Sequence, residues 1–575
     1  MRTPQRRRIP LPHGAIKSEH MADPVFDRPI GEKPRPDIRQ AGTWNPSVGL
    51  SDPVSGLPIP VLAAAATALL YELAAAQPRL YPCALMAPLP ILAVAPEIAT
   101  ETAAELAFLA YLLGNLVTWG GESFAVPLVT MLLSHLAGAA VFATFVACAA
   151  EATRRWSGLL AALVFPTFET AFYFALAGQS PHGTWGSPAY SQVDFIPLLQ
   201  TASWLGMCGV MFMMSLAPAG LAVAWYRHRW NMDGVNPALL GLGTFVVAIV
   251  LGEVRLITTP KTPTVRVAIV ASESLTPQSE STDPLDAADI MGVYARIVRQ
   301  VAVGGTQVVV MPEKIIGVAP NYEWDVVQGF QRIAGMSHVW LVVGLNQIGR
   351  TPKRNIAVVF GPDGKIVATY AKHHPVPSLE SDYKPGSATA IFDAPWGRTA
   401  VLISQDLDFP ETARELAGHD VRIVMAPASD WPGSELIHQR MAVVRGVESG
   451  FSLARAARGG VVSANDSRGR EIAARQPIKG EDTIITADLP LGTGRTLYSR
   501  TDDWFARLCV LLTILLMARL GVSLISAAFA RRRGAAKSVR PSGVVSVEMA
   551  PTDGPSQPQP QEEERMYRPP PRPRE

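Results

Sequence analysis

The stretch Pro237–Ala271, PALLGLGTFVVAIVLGEVRLITTPKTPTVRVAIVA, holds two apolar runs that need different surroundings. The first, Pro237–Gly252, contains no charged residue and approaches the roughly 20 residues that a bilayer-crossing helix requires. The second, VRVAIV from Val265, is short, β-branched and bounded by Thr and Pro, as a buried strand is. A membrane segment therefore hands over to a sheet domain within a few residues.

Upstream lie six more apolar stretches: Leu57–Ala76, Tyr81–Ala95, Ala103–Trp119, Ala125–Ala150, Leu159–Ala177 and Phe195–Trp225. Pro88 and Pro90 interrupt the second. Another stretch, Trp504–Ala528, follows the sheet domain. Charged residues make up only 17% of the chain and mean hydropathy is +0.18, a balance that fits a polytopic protein better than a soluble enzyme. The expected organisation is a bundle of seven transmembrane helices over residues 57–256, a soluble α/β domain over 263–498 and an eighth helix over 504–528. Residues 1–56 are polar and aperiodic, and read as a disordered cytoplasmic tail rather than a signal peptide, because the first apolar run comes too late. Residues 529–575, with PSQPQPQEEE and RPPPRPRE, read as a second disordered tail.

Basic residues orient the bundle. Arg154 and Arg155 follow the fourth stretch, Arg227 and Arg229 the sixth, and Arg531–Arg533 the eighth. Short cytoplasmic loops collect Lys and Arg, so both termini are expected inside and the 263–498 domain outside. A net charge of +2, with no recognition motif, gives no reason to expect a nucleic-acid partner. The four cysteines, Cys83, Cys148, Cys208 and Cys509, all lie in apolar runs without CxxC pairing. Neither a metal nor a cofactor is expected from them.

The 263–498 block alternates strand-like runs with amphipathic helical ones. The strands are VRVAIV, TQVVVMPE from Thr306, VWLVVGL from Val339, NIAVVF from Asn355, TAVLIS from Thr399 and VRIVMAP from Val421. Helices are expected at Ala287–Val303 and Glu435–Ser449, and a hairpin turn at Pro362–Gly364. Strands alternating with helices predict a layered sheet domain.

Three strand ends carry chemistry. In VVVMPEKIIG, Glu313 closes an apolar strand, either as a structural cap or as an acid/base group. In ATYAKHHPVPSLE, Lys372, His373, His374 and Glu380 share one Pro-stiffened loop, which is either merely solvated or functional. In AVLISQDLDFPETAREL, Ser404 ends a strand just before Asp406, Asp408 and Glu411.

This order of Pro-Glu, loop lysine and strand-end nucleophile resembles the nitrilase (carbon-nitrogen hydrolase) superfamily, and the membrane wrapping narrows it to the apolipoprotein N-acyltransferase family. Gly183–Gln192 (GTWGSPAYSQ) resembles that family's external loop between helices five and six. Lys372 to Glu380 resembles its K-x-H-x-V-P-F-G-E loop, with Ser378 and Leu379 replacing Phe-Gly. Phe409-Pro410-Glu411 matches its F-P-E, and Asp430-Trp431, Gln439 to Ala442 and Glu448 resemble its N-D-x-W…Q-x-x-M-A…E stretch. The resemblance implies eight membrane helices around an extracytoplasmic αββα nitrilase-like sandwich, in the bacterial inner membrane. It implies acyl transfer from a phospholipid donor to the amine of a diacylated lipoprotein. Glu313 would then be the general base, Lys372 the oxyanion-stabilising cation, and Glu380, Trp431 and Glu448 supporting or substrate-binding residues.

The chain departs from the pattern at the nucleophile. The family's I-C-Y-E falls on Ile403-Ser404-Gln405-Asp406, and no cysteine occurs between Cys208 and Cys509. A thiol of pKa about 8.5 is readily ionised beside a cation, whereas a hydroxyl is a much weaker acid that serine enzymes usually pair with imidazole or amine. An oxygen ester is also a less activated acyl donor than a thioester. Two readings stay open: an N-acyltransferase using Ser404, or a catalytically degenerate scaffold that binds lipid or lipoprotein.

Overall fold

Along β1 (Thr264–Ser272), Val265, Val267, Ile269 and Ala271 enter one hydrophobic core while Ala268 and Val270 enter another. The period of two and burial on both faces are those of an interior strand covered on each side. The computed structural model describes residues 58–116, 127–272, 275, 281–478 and 481–538. The expected N-terminal tail, and the C-terminal one beyond residue 538, lie outside them.

Two sheets are built on this plan. The first contains β1, β2 (Val308–Val310), β3 (Ile316–Val318), β4 (Trp340–Gln347), β5 (Arg354–Phe360), β6 (Ile366–Ala371) and β13 (Asp482–Pro490). Its order is β13-β1-β2-β4-β5-β6, with β3 paired to β4. The second contains β7 (Ala390–Ala394), β8 (Gly397–Val401), β9 (Ile423–Ser429), β10 (Ser452–Arg458), β11 (Val462–Asn465) and β12 (Glu471–Arg475), in the order β12-β11-β10-β9-β8-β7. Val267 and Ile269 of the first sheet share one core with Val424 and Leu453 of the second. Helices Pro284–Val303 and Glu323–Ser337 cover the outer face of the first sheet, through Ile290, Val298 and Phe330. Helices Pro410–Gly418 and Glu435–Ser449 pack on the second, Ala413, Leu416 and Ala442 joining its core. The result is the expected αββα sandwich.

All six strands expected from the sequence form, and so does the hairpin, where Gly364 (φ +78) turns β5 into β6. Helix Glu323–Ser337 and strands such as β10 (SLARAAR) were not anticipated. The β10 run is buried along nearly its whole length, yet alternates small and charged residues, because the fully buried Arg455 pairs with Asp430.

Seven helices among the described residues are long and apolar enough to cross a membrane: Ile59–Ala76, Pro78–Glu97, Leu128–Arg155, Gly158–Ala177, Met207–Arg229, Val235–Thr258 and Trp504–Phe529. The expected count was eight. The third expected stretch forms helix Thr100–Leu113, whose 14 residues rise only about 21 Å against a hydrocarbon core of about 30 Å. Its expected end, residues 117–119, lies outside the described residues. The sixth stretch is corrected. Residues 195–205 form two short helical turns, and the long helix starts after Gly206, whose φ of +72 breaks the run. A Cβ at Gly206 would stand 2.5 Å from the Tyr498 ring. The last helix continues past the expected Ala528 to Ser538, its residues from 521 belonging to a separate unit.

The two ends of the bundle differ. At one end Arg154 donates to the carbonyls of Ala95 and Pro96, and Arg229 pairs with Glu97 at 3.3 Å. At the other end the sandwich is attached. Glu448 accepts the Met207 N–H at the start of one span (2.6 Å), and Arg470 donates to Leu256 O at the finish of the next (2.8 Å).

Candidate active site

Glu313 lies three residues beyond β2, where the chain crosses over β4. Gly344 makes that crossing possible, since a Cβ there would meet Pro312 O at 2.3 Å. The Glu313 N–H bonds to Ala428 O at the end of β9 (3.3 Å), which stitches the first sheet to the second. Lys372 is the first residue after β6, its N–H bonded to Asn355 O (2.9 Å) and its carbonyl to Gly386 N–H (2.8 Å). Both side chains are about 2% exposed.

The Lys372 ammonium donates to Glu313 Oε1 at 2.9 Å and to Glu380 Oε2 at 2.8 Å. Asn355 Nδ2 bridges Glu313 Oε1 and Glu380 Oε1, the latter at 2.9 Å. Lys314 Nζ reaches Glu380 Oε1 at 2.8 Å, and the Val376 N–H reaches Glu380 Oε2 at 2.9 Å. Two carboxylates thus face two ammonium groups. Burial alone would lower the Lys372 pKa, but Glu313 and Glu380 outweigh it and raise it, keeping the ammonium charged. Burial likewise works to raise Glu380, and the charges of Lys372 and Lys314 overcome it and hold the carboxyl below its usual range.

Ser404 sits past the end of β8, in a tight turn over Ser404–Asp408, with φ +45. A non-glycine residue in this region is uncommon and strained. The turn is held by Asp406, which is fully buried. Its carboxylate accepts from Tyr370 OH (2.8 Å) and from the N–H groups of His373 (3.1 Å), His374 (2.8 Å) and Ile403 (3.2 Å). The His374 ring stacks on Phe409 at 3.7 Å. Ser404 Oγ bonds to Ser429 O at 3.5 Å, one residue along from the carbonyl that holds Glu313. The end of β9 is therefore the shared seat of Glu313 and Ser404.

The loop between spans Gly158–Ala177 and Met207–Arg229 clamps this turn. Thr184 donates its N–H (3.1 Å) and hydroxyl (2.7 Å) to Asp408 O, and Gln405 Nε2 donates to Pro181 O (3.2 Å). Gly183, at φ +56, lets the loop close, since a Cβ there would stand 2.5 Å from Asp408 O. Trp185 of the loop faces Trp431 (5.7 Å) and His438 (4.9 Å).

Of the residues singled out in the sequence, Glu313, Lys372 and Glu380 meet in one cluster and Ser404 shares their seat. Trp431 stands beside His438, whose Nδ1 lies 3.4 Å from the Asp408 carboxylate of the Ser404–Asp408 turn. Glu448 is elsewhere, joined to Met207 N and Arg445 (3.1 Å) where the sandwich meets the bundle. The sequence reading missed Lys314, Asn355 and His438, and it named Asp408 without its partner. Lys314 directly follows Glu313, and Asn355 is a polar opening to an apolar strand; both positions were visible, but their convergence depends on sheet order.

Both portions of the chain match known families. Residues 266–498 match the carbon-nitrogen hydrolase family, and residues 67–251 match the apolipoprotein N-acyltransferase N-terminal domain. An apolipoprotein N-acyltransferase from Geobacter metallireducens is 27% identical over 425 residues, covering 67% of this chain and 78% of that one. Another from Shewanella oneidensis is 24% identical, covering 61% and 70%. Among solved structures, an amidase from Nesterenkonia sp. shares 18% identity with a TM-score of 0.34, covering 44% of this chain and 95% of its own. With both its membrane and its sandwich portions matched, the chain belongs to the apolipoprotein N-acyltransferase family.

Proposed function

We propose that the protein transfers an acyl chain from a phospholipid to the N-terminal amine of a diacylated lipoprotein, with Ser404 in place of the nucleophilic cysteine. The observation that carries this reading is the intact, charge-balanced cluster of Glu313, Glu380, Lys372 and Lys314, sharing the end of β9 with a nucleophile held on a strained turn. Glu313 takes the hydroxyl proton as Ser404 Oγ attacks the phospholipid ester carbonyl. Lys372, kept charged and fixed by Glu380, stabilises the oxyanion. The lysophospholipid leaves with a proton, and the acyl chain rests on Ser404 as an ester until the acceptor amine takes it.

The reading places the protein in the bacterial inner membrane with its termini cytoplasmic and its sandwich outside. The clustering of Arg154 and Arg229 at the end of the bundle opposite the sandwich supports this orientation.

One observation favours the second reading, a binding scaffold without turnover: among the described residues the Ser404 hydroxyl engages only a carbonyl, while Glu313 is occupied by Lys372 and Asn355. Mass spectrometry of the purified protein after incubation with phospholipid separates the two. An acyl adduct on the Ser404 peptide is expected; its absence, even on trapping, sinks the acyltransferase reading. In cells depleted of their own N-acyltransferase, failure of the wild type with rescue by Ser404→Cys would mark an intact site lacking only its nucleophile.

A further inference from the structure

The turn after Ser404 carries more buried polar groups than acylation uses. Gln405 Oε1, Asp408 Oδ2 and His438 Nε2 belong to residues at most 3% exposed, and none has a hydrogen-bond partner among the described residues. The indole N–H of Trp431 is likewise unpartnered. Native proteins rarely leave such groups empty, and a cluster of them points to a missing polar ligand. The Asp408 carboxylate is the sharpest case. Among the described residues its ion-pair partner is His438, with Nδ1 3.4 Å away, and no lysine or arginine lies within pairing distance. A buried carboxylate without a cation is costly.

We propose that Asp408 and His438 form the subsite for the acceptor's α-ammonium group, with His438 as the base that deprotonates it. This rests on the reading that Ser404 carries the acyl chain. A carboxylate can only accept hydrogen bonds, so Asp408 draws the Nδ1–H tautomer of His438 and leaves Nε2 with a free lone pair. Trp185 and Trp431 lie 4.9 and 4.7 Å from the His438 ring, and aromatic faces attract cations. Both tryptophans are half-buried, so the subsite opens outward, and Trp185 sits on a loop joining two membrane spans. An acceptor anchored by its own lipid tails presents its amine near such a loop.

The ammonium gives one proton to His438 Nε2 and becomes a free amine. Its lone pair attacks the Ser404 ester carbonyl, and the new C–N bond forms. The C–Oγ bond then breaks, Ser404 Oγ taking the second proton that nitrogen loses. The products are an amide, a free serine hydroxyl and a proton held by His438 for release to solvent.

The test uses the full-length protein in lipid nanodiscs and two probes, a synthetic diacylglyceryl-cysteinyl peptide with a free amine and its N-acetylated twin. The wild type should bind the free amine at least 10-fold more tightly, and Asp408→Asn should remove that preference. The substitution leaves the Asp408 carbonyl, which anchors Thr184, in place. Equal binding of both probes by the wild type, or an undiminished preference in Asp408→Asn, overturns the subsite whether or not Ser404 is ever acylated. The acyl adduct is read separately, and its absence in the wild type refutes the acyltransferase reading alone. Where it forms, His438→Gln should accumulate it and slow transfer to the free-amine peptide at least 100-fold. Hydroxylamine, uncharged at neutral pH, should still discharge it at the wild-type rate. Loss of the adduct itself in His438→Gln would make His438 the base for Ser404 and overturn the assignment.

Discussion

The two sides of the candidate site are built on opposite principles. Around Lys372 each charge has an opposite charge within 3 Å: Glu313 and Glu380 share Lys372, and Glu380 also holds Lys314. Around Asp408 the backbone is tightly secured, but the side chains make one long contact, to His438 at 3.4 Å, and leave acceptors empty among the described residues. The first cluster is completed by folding alone. The second is secured as a frame and is completed only by something that binds. Self-satisfied networks rigidify a site, whereas a partly satisfied one is either a defect or a receptor.

The comparison breaks most violently at Lys372. Lys372→Met leaves Glu313 and Glu380 buried, with Lys314 able to serve only the second. Removing one partner from a buried ionic cluster costs about 3–5 kcal/mol. Denaturant unfolding in detergent should show a loss of that order, together with loss of the Ser404 adduct. Asp408→Asn, by contrast, removes a charge that has no cation to lose, so its unfolding free energy should stay within about 1 kcal/mol of the wild type or rise. Equal losses in both variants would erase the distinction.

Next in size is the pH dependence of the Lys372 cluster. Glu380 is held below its unfolded pKa of about 4.3, so its contribution is full above that value and is lost as pH falls through and below it. Lys372 is raised above its unfolded value of about 10.4, so its contribution is full below that pH and fades only as pH climbs beyond it. Stability from this cluster should therefore be flat between about pH 5 and 10 and fall on the acid side. Glu380→Gln should flatten the acid fall, which unfolding curves at pH 3–5 would reveal.

How much of this was legible in the sequence follows from the same contrast. Glu313, Lys372 and Ser404 are readable because each terminates an apolar strand, and strand periodicity is a local signal. That they meet depends on β2, β6 and β8 ending on one side of two packed sheets, which local patterns do not encode. The membrane spans were legible from length and composition, except where one residue decided the outcome. Gly206 cuts the sixth stretch because Tyr498, far away in sequence, occupies the space of a Cβ. Asp408 and His438 were invisible as a pair. His438 opens a run that is buried from there to the end of its helix, so no amphipathic break marks it. Its partner lies on a different element.

A smaller effect is expected at the clamp between loop and turn. Gly183→Ala places a methyl group 2.5 Å from Asp408 O at a backbone angle that side chains avoid. The loop must retreat, at a cost of roughly 1–3 kcal/mol. Because Trp185 moves with it, the preference for the free-amine probe should weaken while the acid limb set by Glu380 stays unchanged. A change in that limb would show that the two clusters are one cooperative unit.

The smallest effect distinguishes stored strain from chemistry at the nucleophile turn itself. Ser404→Ala and Ser404→Gly both remove the hydroxyl, and its hydrogen bond to Ser429 O is already long at 3.5 Å. They differ at φ +45, where a Cβ is disfavoured and glycine is not. The relief is worth about 1–2 kcal/mol and is partly offset by the greater freedom glycine gains on unfolding, about 0.5–1 kcal/mol. Ser404→Gly should therefore be the more stable of the two by up to about 1.5 kcal/mol in denaturant unfolding. If the two variants unfold together, Asp406 and its four donors impose the turn at no cost to residue 404. The frame around the nucleophile would then be as self-sufficient as the Lys372 cluster, and only the empty acceptors of Asp408 and His438 would still set the two sides apart.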